Sequence, residues 1–278
     1  MQSPALSPAA FAFDAVARDF DHRFGEWRSV SAQRRAVRQT LADAFPAGGR
    51  ILELGGGTGE DAAWLAERGY QVLLTDASPQ MVQISAHKLR RYPGARTLVA
   101  EAEALDTVAR SQREVGEPLF DGAFSNFAAL NCVADLPAVA RGLARLVRPN
   151  GVIALVMFGP CAPGEVIVEL LRLRPRSAFR RFSARSVPAR LGGRSFSVRY
   201  HRPGEITRAM HPWFRAVRRR GIGIFVPPSA AEPWISQHPR VLRALEALDS
   251  IVADRLALLG DHVLYQFERT AIAAPVAS

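Results

Sequence analysis

The densest chemistry in this chain lies between Glu53 and Asp76. An apolar run, Ile51–Leu54, carries Glu53 and passes into Gly55-x-Gly57-x-Gly59, and the next residues are Glu60 and Asp61. Asp76 follows 23 residues after Glu53, at the end of a second apolar run, Tyr70–Thr75. Strand, glycine turn and helix in that order describe a nucleotide-type site in an α/β fold. A dinucleotide-binding loop spaced G-x-G-x-x-G from Gly55 would need glycine where Glu60 stands. The Lys-Ser/Thr pair of a phosphate-binding loop is also missing. Acids in a first helical turn suit the helix dipole but repel a pyrophosphate placed there. The pattern therefore points to a ligand without phosphates, and to one that carries positive charge.

Few residues offer acid–base chemistry. His211, before Pro212-Trp213-Phe214, is the preferred candidate, facing a pocket from the loop before a late strand. His22, His201, His262 and Tyr200 are further titratable candidates. Phe20, Phe24, Trp27, Phe127, Trp213 and Trp234 could supply apolar walls for a second ligand. Cys132 and Cys161 are too few for a disulfide framework or a cysteine zinc site and read as small hydrophobes. No metal is implied.

The elements that must position these residues follow from periodicity. Residues 1–10 read as a loose arm, and Phe11–Asp43 as helical with a break at Gly25. Strands are expected at Ile51–Leu54, Tyr70–Thr75, Thr97–Ala100, Phe120–Phe124 and Val152–Phe158, with helices at Glu60–Arg68, Ser78–Arg91 and Leu136–Leu146 between them. Residues 106–118 read as a polar loop with one helical turn. Five alternations of strand and helix define a parallel, doubly wound sheet. Beyond Gly159 the rhythm changes. A short apolar helix spans Val166–Leu173, and Arg174–Arg194 shows little periodicity. Strands are expected at Ser195–His201, Val217–Phe225 and His262–Phe267, and a long helix at Pro239–Leu259. The last strand reads as an antiparallel edge strand completing a Rossmann-like, mostly parallel, seven-stranded sheet. The domain reading is an arm and helical lid over 1–45 and a main domain over 46–278 with an insertion at about 160–202.

The chain has 278 residues, 48% hydrophobic and 22% charged, with a formal charge of +10. That charge is local: fifteen arginines stand against three acids, Glu165, Glu169 and Glu205, between Gly159 and Gly221. Three readings fit: a solvated basic face, attraction to anionic lipid headgroups or an acidic acceptor, and a grip on nucleic acid, the last without a recognised RNA module. The N-terminus lacks a secretory pattern and no run of about 18 apolar residues occurs, so the expected location is the cytoplasm.

With ELGGGTG and the downstream Asp76, the sequence resembles the class I S-adenosylmethionine-dependent methyltransferases, closest to the bacterial small-molecule branch. The resemblance implies S-adenosylmethionine as cofactor and specific residue roles. Gly55, Gly57 and Gly59 would let the backbone approach the methionine part, and Glu53 would help hold its ammonium. Asp76 would accept both ribose hydroxyls, and Ala77 and Met81 would flank the adenine. Ala100-Glu101-Ala102-Glu103 is similar to the family's Gly-Asp-Ala-Glu, so Glu101 and the backbone near Ala102 would read the adenine edge. Ser125, Asn126 and Phe127 would border the methyl group, with Asn126 also a catalytic candidate. Arg34 or Arg35, with Arg35 preferred, would pair with the cofactor carboxylate. The implied activity is methyl transfer by direct displacement to a small-molecule or lipid-like acceptor. The alternatives are an RNA- or protein-directed enzyme gripping its substrate with the arginine-rich segment, and a cofactor-binding homologue without catalysis. The tetrapeptide typical of DNA-amino and protein-glutamine methylases is absent after the fourth strand.

Overall fold

The computed structural model describes residues 6–25, 27–182 and 186–274, without the side chains of Arg23 and Phe24. Five residues of the expected arm, 1–5, and Phe24 as a pocket wall thus lie outside the described residues. Two helices, α1 (Pro8–Gly25) and α2 (Arg28–Ala44), precede an alternating series: β1 (Arg50–Leu54), α3 (Glu60–Ala66), β2 (Gln71–Asp76), α4 (Pro79–Leu89), β3 (Ala95–Val99), α5 (Leu105–Glu114), β4 (Phe120–Ser125), α6 (Leu136–Leu146) and β5 (Val147–Phe158). Then come α7 (Pro163–Leu171), α8 (Pro175–Ala178), β6 (Val187–Leu191), β7 (Arg194–Val198), α9 (Pro203–Met210), β8 (Phe214–Ile222), α10 (Pro239–Val252) and β9 (His262–Arg269).

Seven strands form one sheet in the order β3-β2-β1-β4-β5-β9-β8. All run parallel except β9, which pairs antiparallel with both β5 and β8. The expected mostly parallel sheet is present, its antiparallel strand one place inside the outermost β8. Its central strands are apolar on both faces because helices cover both. In β5, Ile153, Leu155 and Met157 pack into one core while Ala154 and Val156 pack into the other. Leu52 and Leu54 of β1 likewise face one side and Ile51 the other. Each such fully buried aliphatic side chain contributes about 1.5–3 kcal/mol.

Two elements depart from the reading by periodicity. Residues 106–118 are mostly helix: Leu105, Val108 and Ala109 of α5 are its only buried members, a one-sided stripe diluted by polar neighbours. Ser195–His201 is half of a separate hairpin, β6–β7, in a two-stranded sheet. Its turn is Gly192-Gly193, with φ of +55° and +74°. Positive φ at both central residues is what a tight two-residue hairpin turn requires. The hairpin rests on α1. Phe196 meets Phe13 at 5.7 Å between ring centroids, and the Arg194 guanidinium lies 3.7 Å from the Phe11 ring centre.

Candidate active site

The site assembles at the carboxyl ends of β1, β2 and β4. Glycine spacing dictates the loop after β1. Gly55, Gly57 and Gly59 all have positive φ. A Cβ on Gly55 would lie 2.5 Å from Ala129 Cβ, and one on Gly59 would lie 2.9 Å from Ser85 Cβ. Above Gly57 there is open space. Two of these glycines are therefore required by packing, while the third faces room for a ligand.

Asp76, at the tip of β2, locks that loop. Its Oδ2 accepts from Gly57 N–H at 2.9 Å and its Oδ1 from Ser78 N–H at 2.8 Å. Burial pushes its pKa up against those two bonds, with Asp14 adding to the rise. Each carboxylate oxygen keeps a second lone pair for a ligand hydroxyl. Met81 is buried behind the α4 start, its N–H bonded to Ser78 Oγ. Ala77 is half-buried beside Asp76, and Glu101 and Ala102 stand half-buried just past the neighbouring strand β3, where Ala100 N–H bonds Asp76 O.

Glu53 is buried at the end of β1, and its Oε2 has no hydrogen-bond partner. Burial raises its pKa well above the ordinary value. Asp61 and Asp76 push the same way, against Arg34 and Arg38. Asp61, also buried, is satisfied instead. Arg34 Nη1 donates to it at 2.8 Å, Arg38 Nε at 2.7 Å and Asn126 Nδ2 at 2.8 Å. Burial opposes its ionisation, but the two arginines and Asn126 prevail and hold its pKa low. This acid reads in the sequence as a helix-dipole residue. Only the fold shows it to be the hub that joins α2, α3 and the β4 loop.

Arg34, not the preferred Arg35, reaches this hub. Arg34 and Arg38 are four apart on one helix face, and the Arg34 guanidinium lies 4.6 Å from the Phe127 ring centre. Arg35 is about 100° round the helix, exposed, and paired with Glu246 on α10. The structure thus corrects the Arg35 assignment. Asn126 is spent on structure at both ends, donating to Asp61 and accepting from Phe127 N–H at 2.8 Å. Phe127 and Ala128 hold φ of 46° and 59°, a conformation that costs about 1–3 kcal/mol per residue and tends to mark functional turns.

Helix α1 roofs the loop with carboxylates two turns apart. Asp14 accepts from Ser78 Oγ at 2.8 Å and from Gln80 N–H at 2.9 Å. Asp21 accepts from Thr58 Oγ1 at 2.5 Å and pairs with Lys88 at 2.9 Å.

The structure also corrects the histidine. His211 is exposed and precedes β8, whose first residue, Phe214, pairs with Arg269 at the amino-terminal end of the sheet. It lies at the opposite end from the glycine loop, and Trp213 is there with it. His262 is at the correct end, paired with Phe158 at the tip of β5. Its ring stacks on Phe158 at 5.1 Å and meets Phe127 edge-on at 5.9 Å. Its buried Nδ1 lies 3.4 Å from Asp261 Oδ2. Asp261 accepts hydrogen bonds from Gln33 Nε2 at 3.2 Å and from Arg181. Burial alone would raise the Asp261 pKa, but His262 and Arg181 hold it far below the carboxylate range. An Asp-His pair opening a strand was visible in the sequence. What was missing was the antiparallel insertion of β9, which carries that pair to the site.

The buried unpartnered Glu53, the open space over Gly57 and the acceptor capacity of Asp76 fit a cationic amino-acid tail and a ribose. Comparison with known proteins supports S-adenosylmethionine as the cofactor. A family described as methyltransferase domain matches residues 52–153, and the chain is similar there to S-adenosylmethionine-dependent methyltransferases. It is 30% identical over 152 residues to the tRNA 5-carboxymethoxyuridine methyltransferase of Escherichia coli (strain K12), a match covering 52% of this chain and 56% of that protein. The chain thus spans about half the length of that relative. It is 27% identical over 210 residues to the malonyl-[acyl-carrier protein] O-methyltransferase of Halorhodospira halophila, covering 69% of this chain and 68% of the other. The fold is shared with the CcbJ methyltransferase of Streptomyces caelestis at a TM-score of 0.59 and 16% identity, over 94% and 98% of the two chains.

A pH signature follows from Glu53. Because its pKa is raised in the free protein, its contribution makes the fold less stable as pH climbs from the ordinary carboxylate value through the raised one. An ammonium placed beside it favours ionisation, so binding is expected to release a proton and to tighten with pH across that window. Calorimetry in two buffers of different ionisation enthalpy reads the release directly. Glu53→Gln is expected to abolish it and to raise the melting temperature of the ligand-free protein at neutral pH. Proton release that persists in Glu53→Gln would assign it elsewhere.

Proposed function

We propose that the chain transfers a methyl group from S-adenosylmethionine to a small-molecule or lipid-like acceptor by direct displacement. The observation that carries this reading is the pair of acids on adjacent strand tips, Glu53 and Asp76, on either side of the glycine loop. Glu53 would take the ammonium, Asp76 the ribose hydroxyls, and Arg34 would pair with the carboxylate. When bound, the cofactor supplies a sulfonium-activated methyl group, so the chain needs mainly to align the acceptor and remove its proton. His262 is the group assigned to that proton: the Asp261 carboxylate, 3.4 Å from Nδ1, favours the proton on that nitrogen and leaves Nε2 to accept. Phe127 and Phe158 keep the ring in place and flank the acceptor.

The tRNA-modifying relative favours a second reading, an RNA acceptor. One experiment separates the two: incubation of the protein with methyl-labelled cofactor and cell extract, then mass spectrometry of small-molecule, lipid and RNA fractions. Label is expected outside the RNA fraction. His262→Gln is expected to lower turnover about 10²–10⁴-fold with cofactor affinity unchanged. Label in RNA alone would establish the second reading, and cofactor binding without transfer to any fraction would mark a non-catalytic homologue.

A further inference from the structure

Helix α7 is built inside out. Its buried residues are the two acids, Glu165 and Glu169, while Ile167, Leu170 and Leu171 face outward. The acids are neutralised from within: Glu165 pairs with Arg180 and Arg181, and Glu169 lies 3.6 Å from Arg172. Two residues past the helix, Leu173 is 88% exposed and held at a φ of 57° that leucine rarely adopts. Phe179 and Phe182, paired at 6.1 Å and both exposed, follow on the next turn. Trp234, also exposed, shares a shallow groove with Val168 and Leu171. Arginines rim this surface. Arg174 and Arg176 are exposed, and neither side chain has a hydrogen bond or ion pair among the described residues.

We infer that this surface, centred on Leu171 and Leu173, docks the protein onto an anionic lipid bilayer. Three features select that occupant. With both acids turned inward, the outward charge of residues 163–182 is purely positive, which suits anionic headgroups and repels a second copy. Long aliphatic and aromatic side chains among arginines match an interfacial layer, where apolar parts sink and guanidinium groups stay at headgroup level. A protein partner would instead be met with charges of both signs, whereas the exposed charged side chains of residues 163–182 are arginines alone, and the acid lining the groove, Glu232, is engaged by Ser29. By contrast, the exposed Val241, Leu248 and Ile251 of α10 lie among charges of both signs and carry no such reading.

The surface joins the candidate active site through α7. This helix starts five residues after β5 ends at Phe158, and Arg181 ties its Glu165 to Asp261 beside His262. Docking therefore presents the acceptor end of the sheet to the bilayer. That link narrows the acceptor of the proposed reaction to molecules held in lipid, and this step alone rests on the methyl-transfer reading.

The test is co-sedimentation of the full chain with vesicles of phosphatidylcholine, with or without phosphatidylglycerol, across a salt series. Wild type is expected to pellet with the anionic vesicles, less so as salt rises. Leu171→Asp/Leu173→Asp and Arg174→Glu/Arg176→Glu are each expected to weaken binding about tenfold or more. Calorimetry with S-adenosylmethionine on the same preparations checks folding, and equal affinity is expected because none of the four side chains touches the cofactor residues. No pelleting at low salt would overturn the inference, as would pelleting unchanged by both double substitutions. A dimer in sedimentation velocity that Leu171→Asp/Leu173→Asp disperses would also overturn it, in favour of a second copy. Cofactor binding without vesicle binding would refute only the docking surface. Vesicle binding without cofactor binding would refute only the methyl-transfer reading.

Discussion

Asp76→Ala is expected to weaken S-adenosylmethionine binding by about 2–4 kcal/mol, roughly 30- to 900-fold in Kd, measured by calorimetry. The loss would have two sources. One is the pair of charge-assisted bonds proposed to the ribose. The other is preorganisation, because the same carboxylate holds Gly57 N–H and Ser78 N–H. Losing those two bonds should also lower the melting temperature of the ligand-free protein. A 2′-deoxy analogue of S-adenosylhomocysteine isolates the ribose part. It should bind wild type more weakly than the parent compound, yet bind Asp76→Ala with little further loss. If both proteins discriminate equally against the deoxy analogue, Asp76 does not touch the ribose.

The largest stability effect should come from Arg181, far from the cofactor residues. Its guanidinium is almost fully buried. It donates to Asp261 and Glu165 side chains and to the Gly159 and Asp261 carbonyls, at 3.0 and 2.6 Å for the two carbonyls. It also lies over Phe158 at 5.2 Å. Arg181→Met keeps most of the volume and strands two buried carboxylates with fewer partners, at a cost of about 3–5 kcal/mol in denaturant unfolding at neutral pH. The pH dependence has a definite sign. Asp261 has a depressed pKa in the native protein, so its stabilisation is present above the ordinary carboxylate value and is lost as pH falls toward the native one. In Arg181→Met the Asp261 pKa rises, so the penalty should shrink as pH is lowered. A penalty independent of pH would place the cost in packing.

This arginine illustrates where composition misleads. Fifteen arginines between Gly159 and Gly221 read as one basic face. In the fold Arg181 is an internal tie, Arg180 neutralises Glu165, and Arg218 pairs with Asp254, so a smaller set faces outward. Charge per segment is a sequence property, whereas the solvent each charge meets is decided by burial.

The sequence by itself determined the sheet and the convergence of Glu53, Gly57 and Asp76 at one end of it. The two periodicities and the glycine spacing are local, and the chain ends each parallel strand on the same side, so Glu53, Gly57 and Asp76 had to converge. Register and rotation about an element are not local, and the structure decided those. A step of one residue along α2 separates Arg34, at the Asp61 hub, from Arg35, paired with Glu246 of α10. The antiparallel entry of β9 brings His262 to the site and leaves His211 at the far end of the sheet. Hairpin β6–β7 was still legible at Gly192-Gly193, a turn signal hidden by the arginines around it. The inverted face of α7 was not legible, because a helical stripe read from sequence shows which residues share a side, while only packing against Arg180 and Arg181 shows which side is inside.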